Sequence, residues 1–278
     1  MFKATSKLLV VPAIAAALLL AACTSGGSSG QSGAGAVPAA QSHLTKILKS
    51  KTIRIAVSAD SPGYGVLGTD GKYKGFDIDV AKALGASLNA KIKWVTTTNE
   101  SRIPLLQTDK ADVVIATLTA TDERAQVIEM SIPYAASATI FMVPKGSPIK
   151  SYSDLKGKTV ATSRGSVGEQ ILKADFPDAK ISDFNTTADS IQALKSHKVD
   201  ALIENNAIIA GLVKDNPSDF TILQGDELRP ALFSFGVKPG DQLWLNYLNT
   251  FIRNFNVSGE NEAALQKWFG LDIPDYLK

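Results

Sequence analysis

The chain has 278 residues, 45% of them hydrophobic, enough for one large domain or two medium ones with real cores. Its 29 basic and 27 acidic residues nearly cancel and are scattered, without a Lys/Arg block or an aromatic–basic stripe, which argues against a nucleic-acid binder. A single cysteine excludes an internal disulfide. Lys3 and Lys7 precede an apolar run over 8–22 broken only by Pro12. That run falls short of the ~20 residues a membrane span needs and reads as a signal peptide. Residues 24–41, rich in Gly, Ser, Gln and Ala, bury no core and read as a tether. The globular body is expected from about His43.

In the body, 52–58 (TIRIAVS) alternates like a strand, and Asp70-Gly71 marks a turn. A helix opens at 76–84 (FDIDVAKAL), where Asp77 is placed to cap it and first-turn acids suit the helix dipole; Gly85 weakens its end. Strands are expected at 92–95, 112–116 and 139–143, with helices at 101–107 and 122–127. Pro144-Lys145-Gly146-Ser147-Pro148 breaks the pattern, and a second series follows. Its strands fall at 158–162, 179–182, 200–203 and 220–223. Its helices fall after Gly165-Ser166, at 189–197 and at 207–214. An apolar stretch at 232–237 ends at Lys238-Pro239-Gly240, and two amphipathic helices at 241–255 and 260–269 close the chain. Alternating strands and helices predict α/β layers with mostly parallel sheets. The breaks near 144 and 237 suggest two lobes joined by two strands, with the terminal helices returning to the first.

Leu20-Ala21-Ala22-Cys23 resembles a bacterial lipobox, in which the cysteine becomes a diacylated N-terminus. Two acyl chains anchor stably where one does not. Further resemblances run in order from about Lys51 to Gly270. They include 75–84, 103–107 with 111–116 (ADVVIA), 117–124 (TLTATDER) and 131–134 (SIPY), then 154–158 (DLKGK), Gly165-Ser166, 199–201 (VDA) and 267–270 (KWFG). Together they are similar to the bacterial extracellular solute-binding proteins, family 3. That resemblance implies a two-lobed periplasmic-binding-protein-like α/β fold (type II), with a ligand cleft and hinge strands near 140–145 and 232–238. It also implies a polar amino acid captured by hinge closure for ABC permease subunits, no covalent chemistry, no cofactor or metal, a monomer, and membrane attachment through the lipid alone. The division expected is 1–22 signal peptide, 23–43 tether with lipidated Cys23, 44–142 first lobe with 238–278 returning to it, and 143–237 second lobe.

The same resemblance assigns site residues. Arg124 matches the arginine that forks onto an α-carboxylate, a geometry that a planar guanidinium offers and lysine does not. Thr117 and Thr119 match positions that hold the carboxylate and ammonium. Ser166 and Val167 match a turn whose backbone N–H groups meet the carboxylate at a helix N-terminus. Asn99 and Arg102 fall at positions that are often an aromatic and an apolar residue in cationic amino-acid binders; the run 101–107 (SRIPLLQ) resembles instead the glutamate/aspartate binders, whose arginine meets the side-chain carboxylate. The loop 60–65, with Asp60 and Tyr64, resembles their first loop. Glutamate or aspartate is therefore the expected ligand, with glutamine or asparagine next. The family's ammonium-binding aspartate falls at Asn205, so either Glu204 or Asp60 compensates, or α-amino binding is weak, or the ligand is not a standard α-amino acid. A dehydratase on this fold, with Glu204 as general acid, and a sensor feeding a signalling receptor are the alternatives. His43 and His197 are expected in solvent, and Trp94, Trp244 and Trp268 in packing roles.

Overall fold

The computed structural model describes residues 41–277; the expected signal peptide and the expected lipidation site, Cys23, lie outside them. A nine-stranded sheet organises the body, in the order β5-β1-β6-β12-β7-β10-β8-β9 with β11 pairing on β7. The strands are β1 (Thr52–Ser58), β5 (Lys91–Thr97), β6 (Val113–Val114), β7 (Glu129–Pro144), β8 (Thr159–Ser163), β9 (Lys180–Phe184), β10 (Ala201–Asn205), β11 (Phe220–Ile222) and β12 (Leu228–Val237). β1 is parallel to β5 and β6 at one end, and β8 is parallel to β9 and β10 at the other. Both wings are covered by helices on their faces, so Ile53, Ile55, Val160 and Ala161 are fully buried.

The middle of the sheet departs from the parallel expectation. β12 runs antiparallel to β6 and β7, and β10 and β11 run antiparallel to β7. β7 covers 16 residues, far beyond the expected 139–143, because it passes from one wing to the other. Its register with β12 slips near Pro133 and near Arg229-Pro230, where Arg229 takes a φ of 41°. Proline lacks the N–H a ladder needs, so bulges fall there. These two irregular strands are the long connections shared by the wings.

Helix α1 (His43–Ser50), capped by Ser42, was not anticipated; it starts at the point where the tether was expected to end. His43 is no solvated tether residue: Nδ1 lies 2.9 Å from Asp241 Oδ2 and Nε2 lies 3.0 Å from Asp109 Oδ1. A small sheet of β2 (Asp60–Ser61), β3 (Gly65–Leu67) and β4 (Tyr73–Lys74) leads into α2 (Phe76–Ser87). Gly75 precedes α2 at φ 141°, and a Cβ there would lie 2.1 Å from the Tyr64 carbonyl oxygen. The chain can make this close turn only with glycine.

Near the chain end, α8 (Gln242–Val257) buries Trp244, whose indole N–H donates to the Asp112 carbonyl at 2.8 Å. In α9 (Glu260–Phe269), Lys267 and the Trp268 indole both donate to Asp79 Oδ2 of α2, at 2.6 and 2.8 Å. The two sequence motifs 75–84 and 267–270 thus meet in space. No helix among the described residues is long and apolar enough to cross a membrane.

Candidate binding cleft

Side chains from both wings and from β7 and β12 converge on one cleft, with an empty volume of about 460 Å³ out to its mouth. Short elements aim the contributing side chains: α3 (Arg102–Gln107), α4 (Asp122–Ala125), α5 (Val167–Asp175), α6 (Thr187–Lys195) and α7 (Asn206–Asp215).

Of the expected residues, Asn99, Arg102, Thr117, Thr119, Arg124, Ser166, Val167 and Asn205 all line this cleft. Arg124 Nη1 donates to the Thr119 carbonyl at 2.6 Å and Nη2 to the Gly165 carbonyl at 3.0 Å. A guanidinium carries five N–H groups. Three therefore remain without a partner among the described residues, enough for a forked pair. Burial lowers the Arg124 pKa from its ordinary value, with Glu123 opposing the fall.

Arg102 is differently placed. Nε donates to the Asn99 carbonyl at 3.1 Å, Nη1 to Ala116 and Thr117 at 2.8 and 3.0 Å, and Nη2 to Gly165 at 3.3 Å. Four of its five N–H groups are thereby held by the main chain, leaving one. Burial, and then Arg124, push its pKa down to about 9, so it stays charged at neutral pH.

The loop that carries these carbonyls is held from below by Asp77. Sequence placed Asp77 as a helix cap; instead its carboxylate is fully buried and no side chain caps α2. It accepts the Thr117 N–H at 2.9 Å and the Tyr134 hydroxyl at 2.7 Å. Thr117 adopts φ 46°, a left-handed conformation costly for a β-branched residue. Its carbonyl receives Arg102 in that conformation. Burial pushes the Asp77 carboxyl up to about 7, against the hydrogen bonds from Tyr134 and Thr117 and the charge of Arg102.

On the facing wall, Gly165 turns at φ 74°, and its carbonyl receives both arginines. The Ser166 hydroxyl caps α5 by accepting the Glu169 N–H, while its own N–H goes to Ser163. No acceptor among the described residues is paired with the N–H groups of Val167 or Gly168. Both residues line the cleft at the N-terminus of α5, where an anion is favoured.

Asp60 and Tyr64 do not line the cleft. Asp60 Oδ2 accepts the N–H groups of Thr187 and Ala188, at 2.7 and 3.3 Å, and so ties β2 to the N-terminus of α6. Tyr64 lies behind the wall, with its ring 5.7 Å from Phe233 and 4.7 Å from Phe269. Ser61, Thr139, Thr187 and Phe233 line the cleft and were not anticipated. Thr139, Thr187 and Phe233 sit in segments that read as ordinary strand or helix start, whereas Ser61 belongs to the 60–65 loop, where Asp60 and Tyr64 were the expected residues.

Among the described residues, His43, Asp109 and Asp112 could in principle approach one metal ion. Arg54 already bonds both aspartates there, and Asp241 holds the histidine. His197 is exposed, as expected.

Two α/β lobes sharing strands around a polar cleft with two arginines define a solute-binding protein of the type II periplasmic-binding-protein architecture. The family model for bacterial extracellular solute-binding proteins, family 3, matches residues 53–271, and the chain belongs to that family. The ABC transporter glutamine-binding protein GlnH of Bacillus subtilis is 30% identical over 262 residues, covering 92% of this chain and 94% of that protein. The glutamine-binding protein of Geobacillus stearothermophilus is 34% identical over 208 residues, covering 72% and 79%. The crystal structure of a mutant of ArgBP from T. maritima matches with a TM-score of 0.77 at 30% identity, covering 82% of this chain and 99% of that one. These relatives are named as binding proteins, in keeping with a non-enzymatic role, and family membership implies an extracytoplasmic location.

Proposed function

We propose that the protein captures a neutral polar amino acid of the glutamine type in this cleft and presents it to the permease subunits of an ABC importer. The free fork of Arg124 carries this reading. Three unpaired N–H groups beside the bare amides of Val167 and Gly168 suit an α-carboxylate reached from both walls. Arg102, with one N–H to spare, can meet a single side-chain oxygen and lacks the fork that a second carboxylate would engage. That favours an amide side chain over the glutamate or aspartate suggested by the sequence. The glutamine-binding relatives at 30% and 34% identity support the same choice.

In this account 44–142 with 238–278 forms one lobe and 143–237 the other, and β7 and β12 flex between them. Ligand that touches both walls favours the closed arrangement by its differential affinity for it. Residues 1–22 are a signal peptide, and acylated Cys23 tethers the body to the membrane. A thermal-shift screen of the purified protein against the twenty amino acids tests the proposal, since a ligand that binds only the native state raises the midpoint. Glutamine is expected to give the largest shift. A larger shift with glutamate would refute the neutral-ligand argument.

A further inference from the structure

An amino acid brings an ammonium as well as a carboxylate, and a desolvated cation needs a counter-charge. The cleft wall contains two guanidiniums and, among its described lining residues, one carboxylate, that of Glu204. Asn205, at the position where the family resemblance puts an aspartate, is committed elsewhere. Its Oδ1 caps α7 by accepting the Ile208 N–H at 3.0 Å, and its Nδ2 lies 3.4 Å from Glu204 Oε1. Its neutral amide in any case offers an ammonium no counter-charge. Asp60 does not line the cleft, and its Oδ2 serves the N-terminus of α6.

We infer that Glu204 takes the ligand's α-ammonium and is the residue that sets which net ligand charge the cleft accepts. This rests on the amino-acid reading above. Glu204 Oε1 accepts the Asn205 N–H at 2.8 Å, which fixes the carboxylate, while Oε2 has no partner among the described residues. Glu204 lies in β10 opposite Ile140 of β7, so the charge is mounted beside a connecting strand and not on a mobile loop. The charged groups facing it are Arg102 of α3, which favours its ionised form, and Asp60 of β2, which opposes it. Tyr64, behind the wall, is also within electrostatic reach. Desolvation outweighs these and leaves the carboxyl up at about 7. An arriving ammonium supplies the missing counter-charge and draws the proton off.

The test is calorimetric titration of purified wild type and Glu204→Gln with glutamine and with 4-carbamoylbutanoate, the same molecule without its amine. Wild type is expected to prefer glutamine. Glu204→Gln should lose about a hundredfold in glutamine affinity and little for the analogue, as for removal of one partner of a desolvated charge pair. Undiminished preference for glutamine in Glu204→Gln would overturn the inference. If wild type answers to another amino acid, that amino acid and its des-amino form replace the pair. Binding of neither kind by wild type removes the amino-acid reading and the inference with it. Should the variant fail to fold, the pH dependence of wild type decides. Affinity for glutamine should rise several-fold between pH 6 and 8, and that for the analogue should not; equal changes for both would refute the assignment.

Discussion

Asp77 offers a sharp test of how the cleft is held, because one buried carboxylate supports Thr117 and Tyr134 together. Replacing Asp77 with Ala removes both acceptors and frees Thr117 from its left-handed conformation. Hydrogen bonds to a charged acceptor contribute about 1.5–3 kcal/mol each, so Asp77→Ala should cost about 3–6 kcal/mol at pH 8, where the carboxylate is ionised. Asp77→Asn can place its amide oxygen where Oδ2 accepts the Thr117 N–H, and its amide nitrogen can donate to a reoriented Tyr134 hydroxyl, so it should cost far less. The pH dependence separates the two effects. The folded carboxyl titrates near 7 and the unfolded one near its ordinary value of 3.8. Between those values the folded state binds the extra proton, so the contribution of this group to stability falls as pH rises. The slope is about 1.4 kcal/mol per pH unit, levelling off above the folded pKa. Glu204 and the other titrating groups cancel when wild type is compared with Asp77→Asn. Urea unfolding followed by circular dichroism at pH 5, 6, 7 and 8 should show wild type losing its advantage over Asp77→Asn as pH rises. A difference that is flat or grows with pH would refute the assignment of a buried, proton-binding Asp77.

Two further outcomes follow from the cleft walls. Arg124→Ala should weaken glutamine binding by about two to three powers of ten, the cost of leaving a buried carboxylate without its fork, with little change in the melting curve of the ligand-free protein. Calorimetric titration reads this directly, and unchanged affinity would displace Arg124 from the site. Gly165→Ala forces a side chain into φ 74° and puts its Cβ 2.8 Å from Glu100 Cα on the facing wall. The backbone strain is worth about 1–2 kcal/mol, while the clash arises only when the walls meet. Ligand affinity should therefore fall at least about tenfold, more than the loss of stability measured in urea accounts for.

Much of the fold was legible because its strands carry strong local signals. TIRIAVS is a strand over its full expected length, and the 260–269 helix falls on its predicted bounds. What escaped lacks periodicity. β2 and β4 are two residues long, and the first half of β7 is masked by Pro133. The cleft was read chiefly through resemblance, which placed Arg124, Thr117 and Val167 on its wall. Resemblance could not say where each donor is spent. Only one of the four carbonyls that hold Arg102, that of Asn99, is local; Gly165 is 63 residues from Arg102, and Thr187, which Asp60 serves at the N-terminus of α6, is 127 residues from Asp60. Asp77 looked like a cap because an acid in a first turn usually is one. Its true partners, Thr117 and Tyr134, lie 40 and 57 residues away.

The central claim is that a cleft with one free fork, one singly available arginine and one carboxylate selects a neutral amino acid. Titrating the purified protein at pH 8 with glutamine and with glutamate tests it most directly. Glutamine should bind with glutamate at least about tenfold weaker. Tighter binding of glutamate would contradict the account, because it would require Arg102 to release main-chain carbonyls for a second carboxylate.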